Sequence, residues 1–188
     1  DAAHPHALTY LTIDAAEGSS LTVVQVVRGD AENGVSTSLT RIRAAENAHV
    51  TLVQVQLLGN RARRWNAVAI EQGKSARVEQ VRIELGGAVV ACGTRTLLNH
   101  NKCEYDLDAV YFGHGSDVLD FNDVSVHTGK DTLCEMHTAG VLTGHADKIL
   151  RGTVDFQRGA KRGVGHESED VLLFSPNARN RTAPLILC

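Results

Sequence analysis

Three stretches decide how this chain folds: LTVVQVV (21–27), VTLVQVQLL (50–58) and ARVEQVRIEL (76–85). Each is short, rich in β-branched residues and bounded by turn residues, which is the signature of a strand. Two more, CEYDLDAVYF (103–112) and TLCEMHTAGVL (132–142), continue the series, and DVLLF (170–174) closes it less regularly. Val78, Val81, Ile83 and Leu85, and then Leu107, Ala109 and Tyr111, show partial period-2 alternation. The turn residues Gly18, Asn47, Gly73, Asn101, Gly129 and Gly159 that precede these strands recur at spacings of 29, 26, 28, 28 and 30. Between them lie second strands such as LTYLTI (8–13), SLTRIR (38–43), WNAVAI (65–70), VLDFNDVSV (118–126) and ILRGTVDF (149–156). Each repeat therefore holds two strands and two turns, and no helical face of useful length is evident.

A fixed period in this range indicates a stacked architecture. One repeat cannot bury its apolar face alone, but a stack shares one core. The periodicity predicts an all-β chain, a β-solenoid rather than the sandwich or barrel that evenly spaced strands also allow. With one Trp, three Tyr and four Phe, the expected core is continuous and aliphatic.

The remaining composition excludes several classes. The chain has 188 residues, a 43% hydrophobic share and a formal charge of −3, so it reads as globular and lacks the basic surplus of a nucleic-acid binder. No run of 18 apolar residues marks a transmembrane helix. No G-x-x-x-x-G-K-[ST] loop is present, so the chain is not itself expected to bind ATP through such a loop. The four cysteines, Cys92, Cys103, Cys134 and Cys188, form no C-x-x-C pair and read as free thiols of a reducing cytoplasm. The chain starts at Asp1 and stops inside the apolar run PLILC (184–188), which reads as an interior piece of a longer protein.

The last third is the most distinctive. DVSVH (123–127) and MHTAGVL (136–142) are followed by RGTVDFQRGAKRGVGH (151–166), ESEDVLLFS (167–175) and NARNRTAPLILC (177–188). This ordered set resembles the core domain of the SufB/SufD family of iron–sulfur cluster assembly proteins, most densely over 117–188 and more weakly, but collinearly, over 1–116. The resemblance implies that residues 1–188 form a single core domain, a right-handed parallel β-helix. It implies pairing of that core with a SufB/SufD-type paralogue or with itself, a SufC-type ABC ATPase as partner, and an iron–sulfur cluster assembled transiently on the complex. The protein would be a cytoplasmic, non-enzymatic scaffold without nucleic acid or membrane as partner. The family's N-terminal helical region and its C-terminal ATPase-docking helices do not lie in these 188 residues. Neither does the histidine motif expected just after Cys188.

By position relative to the following strand, the resemblance places Glu169 where SufB carries a cluster-associated cysteine. The candidate cluster and metal ligands are thus Glu169, Glu167, His166 and Cys188, since thiolate, imidazole and carboxylate all ligate iron. On a strand, His166 and Ser168 share one face while Glu167 and Glu169 share the other. Cys92, Cys103 and Cys134 read as small core residues, and His127 as a structural turn histidine. Cys134 and His137, three apart, face opposite sides of a strand; His100, His114 and His145 carry no metal pattern. Two rivals stand beside the scaffold: a purely structural half of the complex, and a carbohydrate-active β-solenoid enzyme using Asp106, Asp108, Asp120, Asp123 and Arg95.

Overall fold

The computed structural model describes residues 5–29 and 33–188. Among them are thirteen strands and no helix, wound as a parallel β-solenoid of about six coils. Sheet A contains β1 (His6–Ala15), β3 (Val35–Ala44), β5 (Arg63–Gln72), β7 (Val89–Leu98), β9 (Val118–His127), β11 (Asp147–Phe156) and β13 (Arg179–Leu187). Sheet B contains β2 (Ser20–Gly29), β4 (His49–Leu58), β6 (Arg77–Glu84), β8 (Glu104–Gly113), β10 (Leu133–Leu142) and β12 (Val164–Leu173). Odd strands pair in order β1 to β13 and even strands in order β2 to β12, every pair parallel. His6 pairs with Val35 and Val35 with Arg63, steps of 29 and 28 residues that reproduce the expected period.

The turns at one corner of the coil stack as the strands do. Gly18, Asn47, Ser75, Lys102, Asp131 and Arg162 all have positive φ. Backbone bonds run through the corner from coil to coil, from the amides of Gly18, Asn47, Ser75, Lys102 and Asp131 to the carbonyls of Glu46, Lys74, Asn101, Lys130 and Lys161. Asn47 and Gly18 fall where expected, but Gly73, Asn101 and Gly129 do not themselves hold the left-handed conformation. Gly73 and Gly129 are glycine for another reason. A Cβ at Gly73 would lie 2.6 Å from the Glu46 amide nitrogen, and one at Gly129 would lie 2.0 Å from the His100 carbonyl oxygen. Only a bare Cα lets the coils close to this distance.

The core is not one continuous aliphatic column. It separates into a larger cluster that includes Ile42, Val50, Leu52, Ile70, Val78 and Leu107, and a smaller one around Val90, Leu119, Phe121, Leu142 and Leu150. Each fully buried leucine contributes about 2 kcal/mol. Tyr105, Tyr111 and Phe121 are among the largest buried side chains, so the interior is not purely aliphatic, while Tyr10, Trp65, Phe112 and Phe174 are exposed. Polar residues divide the two clusters because the inward positions of the middle strands are occupied by charged and amide side chains. In β6 the inward set is Val78, Gln80, Arg82 and Glu84, whereas Val81 and Ile83 face outward. Of the two alternating sets noted in the sequence, Leu107, Ala109 and Tyr111 point in, but Val81, Ile83 and Leu85 point out.

Candidate functional site

The inward positions of neighbouring strands form a lane of polar side chains along the solenoid axis. It begins with an amide ladder. Gln54 donates to Gln25 at 2.8 Å, and Gln80 donates to Gln54 at 3.2 Å. Asn66 accepts from Ser38 at 2.7 Å and donates to Gln54 at 3.2 Å. Equivalent positions on adjacent coils stand about 4.8 Å apart, which lets stacked amides satisfy one another.

Charged groups follow. Arg82 and Asp123, both buried, form a two-pronged ion pair at 2.8 and 2.7 Å. Asp123 also accepts the backbone N–H of Thr94 at 3.1 Å, and Arg82 lies 5.1 Å from the Phe121 ring centroid. Burial opposes the guanidinium's charge, but Asp123 more than offsets it, so Arg82 holds its proton more tightly than usual. Beside it, Arg64 Nε stands 3.5 Å from Glu84, and the Cys92 thiol donates to the same carboxylate at 3.2 Å. Burial raises the Glu84 pKa against the two arginines. Burial, then the Glu84 charge, pushes the Cys92 thiol well above its ordinary range, so Cys92 is protonated in the resting chain. The thiols of Cys103 and Cys134 are pushed up by burial to about 11 and about 12. All three lie in the core, as expected of free cysteines.

The lane continues into the last coil of the described residues. Lys148 is fully buried; it touches Glu169, and its Nζ sits 5.5 Å from the Tyr111 ring centroid. Burial pulls its pKa down to about 8 even with that carboxylate beside it. Thr182 also donates to Glu169, and the Tyr111 hydroxyl approaches it at 3.5 Å. Glu167 occupies the space left by Gly152, where a Cβ would lie 1.7 Å from its carboxylate. Both Glu167 oxygens and the Asn180 side-chain oxygen are enclosed without a hydrogen-bond partner among the described residues. Burial, then the charge of Asp123, raises the Glu167 pKa. Glu167, Glu169, Asn180 and Thr182 line an open cavity of about 510 Å³ between β12 and β13. Among the described residues β13 pairs with β11 alone.

Of the four expected ligands, the structure brings together only Glu167 and Glu169. His166 points out of the solenoid, 3.4 Å from Glu135. Cys188 follows the end of β13, six residues past the Thr182 that touches Glu169, or about 20 Å along an extended strand. Cys134 is buried while His137 lies on the outer face between Asp108 at 3.7 Å and Asp170 at 3.1 Å. His127 is buried against Phe156 and bonded to Thr132 at 2.8 Å, and burial lowers its pKa to about 4, in keeping with a structural role. The carboxylates considered for carbohydrate chemistry do not converge. Asp106 and Asp108 lie on the outside of sheet B, Asp120 lies outside sheet A against Arg151, and Asp123 is buried. Arg64, Arg82, Glu84 and Lys148 escaped the sequence reading. A signal existed, since each occupies the position two residues from an inward-facing neighbour.

A parallel β-solenoid with a charged interior lane is the class of structure defined here. The model of the family "SUF system FeS cluster assembly, SufBD core domain" matches residues 2–188, and the chain belongs to this family. It is also similar to the iron–sulfur cluster assembly protein SufD of Bacillus subtilis (strain 168), 22% identical over 181 residues. That match covers 95% of this chain and 41% of the relative, so the chain spans about two-fifths of the curated relative's length. Among the described residues, no helix is long and apolar enough to cross a membrane.

Proposed function

We propose that this chain is a scaffold subunit of SUF iron–sulfur cluster assembly, not an enzyme, and that it works by pairing with a second core of its own family. The iron–sulfur cluster is its cargo. The partner is a second SufB/SufD-type core, in the cytoplasm, with a SufC-type ABC ATPase acting on the pair. The observation that carries this reading is the open cavity between β12 and β13, where Glu167 and Asn180 present enclosed oxygens without partners. A polar group of a partner core placed in this cavity would supply those partners.

Within that reading, Glu167 and Glu169 are carboxylate ligands or ligand-positioning groups. Thiolates, the usual ligands of such clusters, are absent from the lining of this cavity among the described residues. This favours a site completed by the partner core, and keeps in view a purely structural half with no ligand of its own. The test is iron and acid-labile sulfide per chain after anaerobic reconstitution, alone and with a paired core, using wild type and Glu169→Ala. Cluster retained only in the pair and lost in the variant supports a shared site. Unchanged cluster in Glu169→Ala pairs leaves the structural half. Failure of any SufB/SufD-type core to pair would remove the proposal.

A further inference from the structure

The outer face of sheet B carries an aliphatic band that nothing described covers. Its crest follows one register position across β4, β6, β8, β10 and β12, through Leu57, Leu85, Phe112, Val141 and Leu172, and ends at Arg28 on β2. Val26, Val55, Ile83 and Val110 form a second row beside it. The crest is not sheltered: Leu57 is 48% exposed, Leu85 44%, Phe112 37% and Leu172 60%. Contiguous apolar surface of this extent marks an interaction site. Outside sheet A, Arg41 and Arg95 interrupt the row through Thr12, Ala69 and Val124, and the exposed apolar residues Tyr10, Leu39 and Trp65 lie in other rows.

The same face is strongly acidic beside the band. Glu79, Glu104, Asp106, Asp108, Glu135 and Asp170 lie there, and Arg77 is the single Lys or Arg on the outside of β4, β6, β8, β10 and β12. Arg77 is already committed to Glu79 and Asp106, at 2.9 and 2.8 Å. The surface therefore offers an apolar crest with a flank of surplus negative charge.

We propose that this face docks an amphipathic α-helix of a partner protein, aliphatic on one side and lined with Lys or Arg along one flank. Its length follows from the solenoid. The five strands of the crest, at about 4.8 Å, span about 19 Å, which is about 13 residues of helix at 1.5 Å each, so a 16-residue helix covers it with about a turn to spare. One strand step equals about three residues of helix rise, so anchors at i, i+3, i+7 and i+10 meet successive strands. The flank selects the partner's charge, since carboxylates facing carboxylates on docking would repel. This proposal is independent of what the final coil does.

The test uses fluorescence anisotropy of the full-length protein with two labelled 16-residue helical peptides. Both carry the same leucine face; one has Lys along a flank and the other Glu. The Lys peptide is expected to bind at least tenfold more tightly, and Leu85→Lys with Phe112→Lys to weaken it at least tenfold. Trp65→Lys, outside sheet A, should leave it unchanged. Asp106→Asn with Asp108→Asn and Asp170→Asn keeps the apolar crest and should abolish the preference for Lys. Equal binding of the two peptides, or binding indifferent to the crest variants, overturns the proposal. So does self-association of the protein that Phe112→Lys abolishes, because the occupant would then be a second copy.

Discussion

Replacing Asp123 by Asn tests the charged lane most directly. The substitution keeps the shape and one acceptor oxygen but removes the charge that holds Arg82, which lies 1% exposed. Arg82 cannot shed its proton, as its pKa is raised further still. It would remain a buried cation with only one carbonyl oxygen in place of a two-pronged carboxylate. Breaking a buried pair from one side costs about 3–5 kcal/mol. For a chain of this length that lowers Tm by on the order of 10 °C. The geometry extends the effect, because Arg82 stands in β6, Asp123 in β9 and the Thr94 amide that also binds Asp123 in β7. Three successive coils are therefore loosened together. The assay is urea unfolding followed by far-UV dichroism, with a cycle of Arg82→Met, Asp123→Leu and the double variant Arg82→Met/Asp123→Leu measured beside Asp123→Asn. The double variant should recover most of the loss, since two apolar groups leave no charge unpaired. A loss under about 1 kcal/mol in Asp123→Asn, or additive losses in the double variant, would refute the reasoning.

Other outcomes follow from the same coordinates. The His127 pKa falls from 6.5 to about 4 through burial, so the unfolded chain takes up the proton first as pH falls. Stability attributable to this residue is intact above pH 6.5, declines from 6.5 to about 4 and then levels, by about 3 kcal/mol in all; His127→Phe should flatten that part of a stability-versus-pH curve, and an unchanged difference between pH 7 and pH 4.5 would count against it. Of the four thiols, three are buried and Cys188 is exposed, so a disulfide reagent should titrate one thiol rapidly in the native protein and four in denaturant. More than one rapid thiol would mean that the coils open readily. Gly129→Ala places a methyl 2.0 Å from a backbone oxygen and should cost about 1–3 kcal/mol or more. Gly18→Asn, in open space at φ 65°, should cost only a few tenths of that range, and a reversal of the two would contradict the account of the corner.

The stacked fold was legible because turn residues and β-branched runs recur with the coil. β7 was the weak point: VVACGTRTLL (89–98) has Gly93 and three polar residues in its second half, and its strand character comes from pairing with β5 and β9. The direction each face takes was harder to read. Strands of sheet B carry aliphatics on both sides, so alternation alone does not say whether Val81 and Ile83 or Gln80 and Arg82 turn inward. What decides it is tertiary, since Asp123, 41 residues away, waits opposite. At the candidate site, Glu167 and Glu169 were separable from His166 by strand periodicity, and the structure puts the carboxylates inside. Their relation to Lys148 and Thr182 depends on which coils stack in register, which no local pattern records.

That dependence has a consequence for β6. A one-residue slip would bury Val81 and Ile83 and expose Arg82, and burial of apolar area alone would scarcely oppose it. The slip would instead strand Asp123 in the core without its cation, at the cost already given for a broken pair. The ion pair thus acts on the choice of register more than on net stability. The Arg82→Met/Asp123→Leu variant separates the two roles, because it restores apolar burial while erasing the charge that penalises the slip. Its global stability should approach wild type, while hydrogen exchange at β6 amides, from Arg77 to Glu84, should become faster relative to β4 and β8. Wild-type protection at β6 in that variant would show that the register is set by the turns at Ser75 and Gly87, and not by the lane of charges inside.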